Sequence, residues 1–106
     1  MQKSPSGRVL LAMLFFFLMA TAVVAADRTI WKHDGGTFSK GKGDNWVERG
    51  GDKTFFFKET ARTDDYVELQ GLKRNIKVRL KNKVALIQEE QGKPFKLLYN
   101  GMWVDK

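Results

Sequence analysis

The sequence predicts an all-β fold: a small antiparallel meander of six to eight short strands closing into a barrel or sandwich, preceded by an N-terminal signal helix. Three observations carry this. From Thr29 onward, short apolar runs alternate with turn signals about every eight to twelve residues. Within the runs, apolar and polar residues alternate with period two. The alternation is cleanest in NIKVRLK at 75–81, where Ile76, Val78 and Leu80 take one face and Lys77, Arg79 and Lys81 the other. Beyond the leader, no segment pairs an N-cap with a long amphipathic run at helical spacing. LKNKVALIQEE, with fair helix propensity, is the one ambiguous stretch.

The elements follow in order. TIWKH at 29–33 is a first strand, turned by Asp34-Gly35-Gly36, with Thr37–Ser39 pairing back. A glycine-rich loop, KGKGD at 40–44, leads to the strand NWVER at 45–49. Gly50-Gly51 reads as a two-residue hairpin turn, since primed turns need positive φ. TFFFKET at 54–60 returns, placing Phe55 and Phe57 on one side and Phe56 on the other. YVELQ at 66–70 follows a polar loop, and Gly71–Arg74 turns the chain into NIKVRLK. Asn82-Lys83 is a tight turn before VALIQE at 84–89. After QGKP, runs at 95–99 and 101–104 close the chain. Connections this short favour antiparallel pairing. Pairing of the first and last strands, which carry Trp31 and Trp103, would close a barrel.

The first 26 residues read as a secretory signal peptide. Lys3 and Arg8 precede the unbroken apolar run VLLAMLFFFLMA, and Val24 and Ala26 stand at minus three and minus one of a cut before Asp27. The alternative is an uncleaved anchor, because Val9–Ala26 approaches the shortest spanning helices. Both place the domain at 27–106 outside the cytoplasm, secreted or periplasmic. A membrane is a partner only if the leader is kept.

Of the formal net charge of +7, two cations belong to the leader, so the 80 residues after it carry +5. So small a domain buries little surface and usually needs staples. The chain has no cysteine, and ten aromatics after residue 26 are the substitute. A basic surface favours anionic partners, although twelve acidic residues are interspersed with the basic ones.

Catalytic chemistry is poorly supplied. The only serine after the leader is Ser39 and the only histidine His33, with no nucleophile elbow around them; His33 reads as a surface residue beside a turn. One histidine without cysteine builds no zinc or copper site. Asp34, Asp44, Asp64 and Asp65 do not form a D-x-D-x-D-G calcium loop. The GKGD loop resembles phosphate cradles but lacks the lysine–serine or threonine pair and the helix. Glu48, Glu59 and Glu68 on successive strands could converge on one face as glycosidases require; cross-strand pairing with Arg49, Lys58 and Arg62 is the plainer expectation. No enzyme, metal or cofactor is therefore expected.

Two features point to binding. Lys73, Arg74, Lys77, Arg79, Lys81 and Lys83 fall within eleven residues, and Lys77, Arg79 and Lys81 share a sheet face. This face serves either to keep the sheet solvated or to meet an anionic polymer. Nucleic acid is disfavoured by export and by the absence of interleaved aromatics. Phe56, facing away from its neighbours, is the best candidate for an interface residue.

One resemblance adds to this. Trp46 with Glu48, Phe55 and Phe57 with Glu59 and Arg62, Val67 with Leu69, the trio Val78-Arg79-Leu80, and Leu98-Tyr99 with Gly101 and Trp103 cover most of residues 44–103. The pattern resembles an uncharacterised small secreted β module of planctomycete-type bacteria. The resemblance implies a β module in an extracytoplasmic setting and nothing chemical. The sequence thus leads to a non-enzymatic extracytoplasmic module that binds an anionic envelope polymer or a protein, the contact residues being Lys77, Arg79, Lys81 and Phe56. The alternative is a structural or self-assembling envelope component.

Overall fold

Short strands joined by tight turns pair most readily with their neighbours in sequence, and here the last strand also reaches the first. A computed structural model describes residues 28–104; the predicted leader and its cleavage site lie outside the described residues. Eight strands form: β1 (Ile30–His33), β2 (Gly36–Lys40), β3 (Asn45–Gly50), β4 (Lys53–Arg62), β5 (Val67–Gly71), β6 (Lys77–Leu80), β7 (Val84–Gln88) and β8 (Lys96–Trp103). They make a closed barrel in sequence order, every pair antiparallel. Trp31 opposite Trp103 closes the β1–β8 seam.

The ambiguous LKNKVALIQEE stretch is β6 turning into β7, with Leu80 opposite Ala85. Alternate residues turn inward: Leu80, Ala85 and Ile87 are buried in the barrel, whereas Val84 and Leu86 are only half-buried.

Alternation sends every second side chain inward. Trp31, Phe38, Trp46 and Phe57, with Val67, Leu69, Val78 and Leu80, are fully buried and fill the interior. An eight-stranded barrel has an interior about wide enough for side chains to fill. Two of these indoles are also tied by hydrogen bonds. Trp31 Nε1 donates to Lys81 O at 2.7 Å, and Trp46 Nε1 to Glu59 Oε1 at 2.9 Å.

Two boundaries set by glycine differ from the sequence expectation. The β3–β4 turn is Gly51-Asp52, since Gly50 still pairs with Lys53. Gly50 stays in the strand because the β1–β2 turn presses on it: a Cβ there would stand 2.8 Å from Gly35 O. Gly51, at φ 61°, then opens the turn. The run expected to break at Asn100 is one strand, β8. Gly101 sits within it because the Trp31 ring occupies the space of its missing side chain, with a Cβ only 2.5 Å from Trp31 Cη2. Irregularities between Glu59 and Ala61 and between Ala85 and Leu86 shift the register, as bulges do where a barrel bends.

Candidate functional site

The strands sort the charged residues by face. On β6, Lys77 and Arg79 point outward as expected, but β5 sets Glu68 beside them. Arg79 Nε meets Glu68 Oε1 at 2.9 Å and Lys77 Nζ meets Glu68 Oε2 at 3.7 Å. Just past β6, Lys81 Nζ meets Asp65 Oδ2 at 3.2 Å. The Arg79 guanidinium is also held over two rings, 4.6 Å from that of Tyr66 and 4.1 Å from that of Phe95. Burial works to raise the Glu68 pKa, but hydrogen bonds from Arg79 and Thr60 and the charge of Lys77 outweigh it and hold the carboxyl below its usual range. The three predicted cations are therefore half-buried and already engaged with carboxylates.

The three glutamates do not converge. Glu48 and Glu59 point into the barrel with Trp46 and Phe57, whereas Glu68 lies on the outside. Glu48 pairs with Phe55, and Glu59 lies four residues further along β4, about 13 Å at strand rise. Glu59 takes a two-pronged contact from Arg62, Nε to Oε2 at 2.9 Å and Nη2 to Oε1 at 3.0 Å. Although burial raises its pKa, bonds from Arg62 and Trp46 bring the net shift below the usual range.

His33 departs from expectation. It is buried inside the barrel, 6% exposed, because it lies two residues after Trp31 on the inward face. Its ring stacks on Tyr99 at 3.6 Å between centroids and 7° between planes. Tyr99 Oη donates to Glu48 Oε2 at 2.8 Å, and His33 Nε2 lies 3.5 Å from the same oxygen. Ser39 pairs with Ile30 on the outer alternation of β2, so it does not share a face with His33. Among the described residues, no three His, Asp or Glu side chains gather to hold a metal ion.

Phe56 is on the outside of β4 and 56% exposed. Val47 of β3 lies opposite it, and Leu72, 55% exposed, is brought alongside by its N–H bonding to Phe56 O at 3.0 Å. Grooves run on both sides of this apolar ridge. One, of about 280 Å³, is walled by Thr54, Phe55, Phe56, Leu72, Lys73 and Arg74. The other, of about 420 Å³, is walled by Lys42, Asn45, Val47, Arg49, Phe56 and Leu72. Among the described residues, no carboxylate lines either groove. Lys42, Arg49, Lys58 and Lys73 are exposed and have no ion-pair partner among the described residues. Arg74 likewise lacks one and lies over the Phe55 ring at 4.2 Å.

The structure thus keeps Phe56 as an outward residue and places uncompensated cations around it rather than around Lys77, Arg79 and Lys81. Lys42 and Arg49 were missed because a count of charge along the chain favours 73–83. Arg74 was counted with that basic run and not separated from it. The signal that would have found them is alternation: Glu48 and Glu59 share a face with Trp46 and Phe57, which strips the outer face of β3 and β4 of acid. No protein-family model matches the chain, and neither curated proteins nor solved structures match it.

Proposed function

We propose that the protein is a non-enzymatic extracytoplasmic binding module whose ligand is an acidic, uronate-type polysaccharide. The observation that carries this is the exposed Phe56–Leu72 ridge lying between two grooves with cationic side chains and, among the described residues, no carboxylate in their walls. Phe56 offers its ring to the apolar face of a sugar. Arg49 and Arg74 offer planar guanidinium forks suited to carboxylates. Thr37, Ser39, Asn45 and Thr54 lie on the outer alternation of β2, β3 and β4 and supply partners for hydroxyls. A single exposed ring is a poor platform for successive nucleobases, which favours a sugar polymer over a nucleic acid. The signal-like leader and the resemblance to a secreted β module support the extracytoplasmic setting. The separation of Glu48, Glu59 and Glu68 supports the non-enzymatic reading.

The test is retention of the protein on immobilised polygalacturonate. Binding at low salt and release as ionic strength rises are expected for exposed charges. Phe56→Ala should weaken binding by about tenfold or more, as for an anchor residue at an interface, while leaving the urea midpoint nearly unchanged. No retention at low salt, or equal retention of Phe56→Ala, would overturn the proposal. Self-assembly is a second reading, favoured by exposed Met102 and Val104 beside Ile30 on the β8–β1 side of the barrel, with exposed Leu97 further along β8 where it pairs with β7. A concentration-dependent oligomer with no polymer affinity would favour it instead.

A further inference from the structure

The grooves beside Phe56 do not end at the ridge. The groove on the β3 side also reaches Gly41, and Gly41 is a wall of a third depression, of about 520 Å³, lined with Thr29, Lys40 and Arg62. The first two share Phe56 and Leu72 as a common wall. The three form one track from Arg74, near the barrel end that holds His33 and Glu48, to Arg62, at the end that holds Glu59. Along β4 this runs from Thr54 to Arg62, about 25 Å at strand rise.

The charged residues that wall the path are all cationic. Lys73 and Arg74 stand at one end, Arg49 and Lys42 in the middle, and Lys40 and Arg62 at the other. Among the described residues, no carboxylate lines any of the three depressions. Arg62 has Glu59 as its counter-ion. Arg28 lies close to it, donating from Nη2 to Thr63 O with its guanidinium over the Trp103 ring. Asp64 and Asp65 act on Arg28 from the loop after β4, but neither walls the depression. At that end Lys40, whose charge also acts on Glu59, is the cation that the walls add beside the paired Arg62.

The geometry points to an extended linear polyanion lying across β3 and β4 from one barrel end to the other, so that the protein reads several consecutive sugar units rather than one acidic residue or a chain terminus. This rests on the acidic-polysaccharide reading and specifies its ligand. A compact anion would satisfy one depression only. A flexible chain with a charge on each unit meets successive cations, each contact adding to the last by effective concentration.

Titration calorimetry with galacturonic acid, tetragalacturonate and octagalacturonate tests it, with Lys40→Gln and Lys73→Gln as variants at opposite ends of the track. Affinity should climb by at least about tenfold from tetramer to octamer, in line with added simultaneous contacts. Each variant should weaken octamer binding several-fold without moving the urea midpoint. If the octamer binds no better than the tetramer, or if Lys40→Gln binds the octamer like the wild type, the track is wrong and the Phe56 site alone stands. Absence of binding to every oligomer removes the polysaccharide reading itself. Equal or tighter binding of single-stranded DNA of matched charge count would overturn both in favour of a nucleic acid.

Discussion

His33, Glu48 and Tyr99 show how one inward position sets the chemistry of its neighbours. Burial pushes the His33 pKa below its usual value, and the nearby Glu48 carboxylate only partly opposes this. The His33–Glu48 contact is accordingly polar rather than ionic at neutral pH, with the Glu48 oxygen accepting from Tyr99 instead. Burial and the Glu48 carboxylate push Tyr99 up to about 12. The two residues shape stability in opposite directions. Folding disfavours the imidazolium, so the contribution of His33 is full above its unfolded pKa of about 6.5 and is lost as pH falls through the lower folded value. Folding also disfavours the phenolate, so the contribution of Tyr99 is full below about 10 and is lost as pH rises through about 12. Tyr99→Phe should abolish that alkaline loss and, by leaving the half-satisfied carboxylate inside, cost about 1–3 kcal/mol at neutral pH. Urea titrations from neutral to strongly alkaline pH check both. An unchanged alkaline limb would show that the hydroxyl does not carry it. The inward position of His33 was legible in principle, two residues after Trp31, but proximity to a glycine turn suggested the surface. The stack on Tyr99 joins opposite ends of the domain and left no local mark.

At the scale of elements, alternation decided most of what the strands do, and glycine decided where they stop. Phe55, Phe56 and Phe57 took the sides that period two assigns, because a strand has no other way to place three consecutive rings. Boundaries were harder to read because glycine serves two purposes here. Gly51 turns the chain, while Gly50 and Gly101 are strand residues chosen for lack of bulk. The sequence alone breaks β8 before Gly101, because the Trp31 ring that fills the place of its side chain comes from the other end of the domain. Gly101→Val should force the ring or the β1 backbone to move and cost about 1–3 kcal/mol, the usual penalty of overpacking. A urea midpoint equal to that of the wild type would show that the β1–β8 seam has slack. The basic strand teaches the converse. Lys77, Arg79 and Lys81 stand out in the sequence, yet Glu68 and Asp65 reach them across the sheet, a pairing that depends on register and not on composition.

Over the whole molecule, eight antiparallel strands close on themselves, so among the described residues no sheet edge is left to pair with another chain. The interior is filled by aromatics and aliphatics, so the proposed recognition surface falls to the outside. That surface is uneven: β5 and β6 carry compensated charge, β8 and β1 carry exposed apolar residues, and β3 and β4 carry Phe56 among cations without ion-pair partners among the described residues. The fold class was legible because turn spacing and alternation are local. The location of the uncompensated charge was not, because it emerges only when eight strands are set side by side. The central claim is that the β3–β4 face, and not the basic strand β6, meets the ligand. Backbone amide NMR of the protein titrated with octagalacturonate tests it most directly. Shifts concentrated at Lys42, Val47, Arg49, Phe56, Leu72 and Arg74 are the expected result. Shifts concentrated at Lys77, Arg79 and Lys81, with the Phe56 face unmoved, would contradict it.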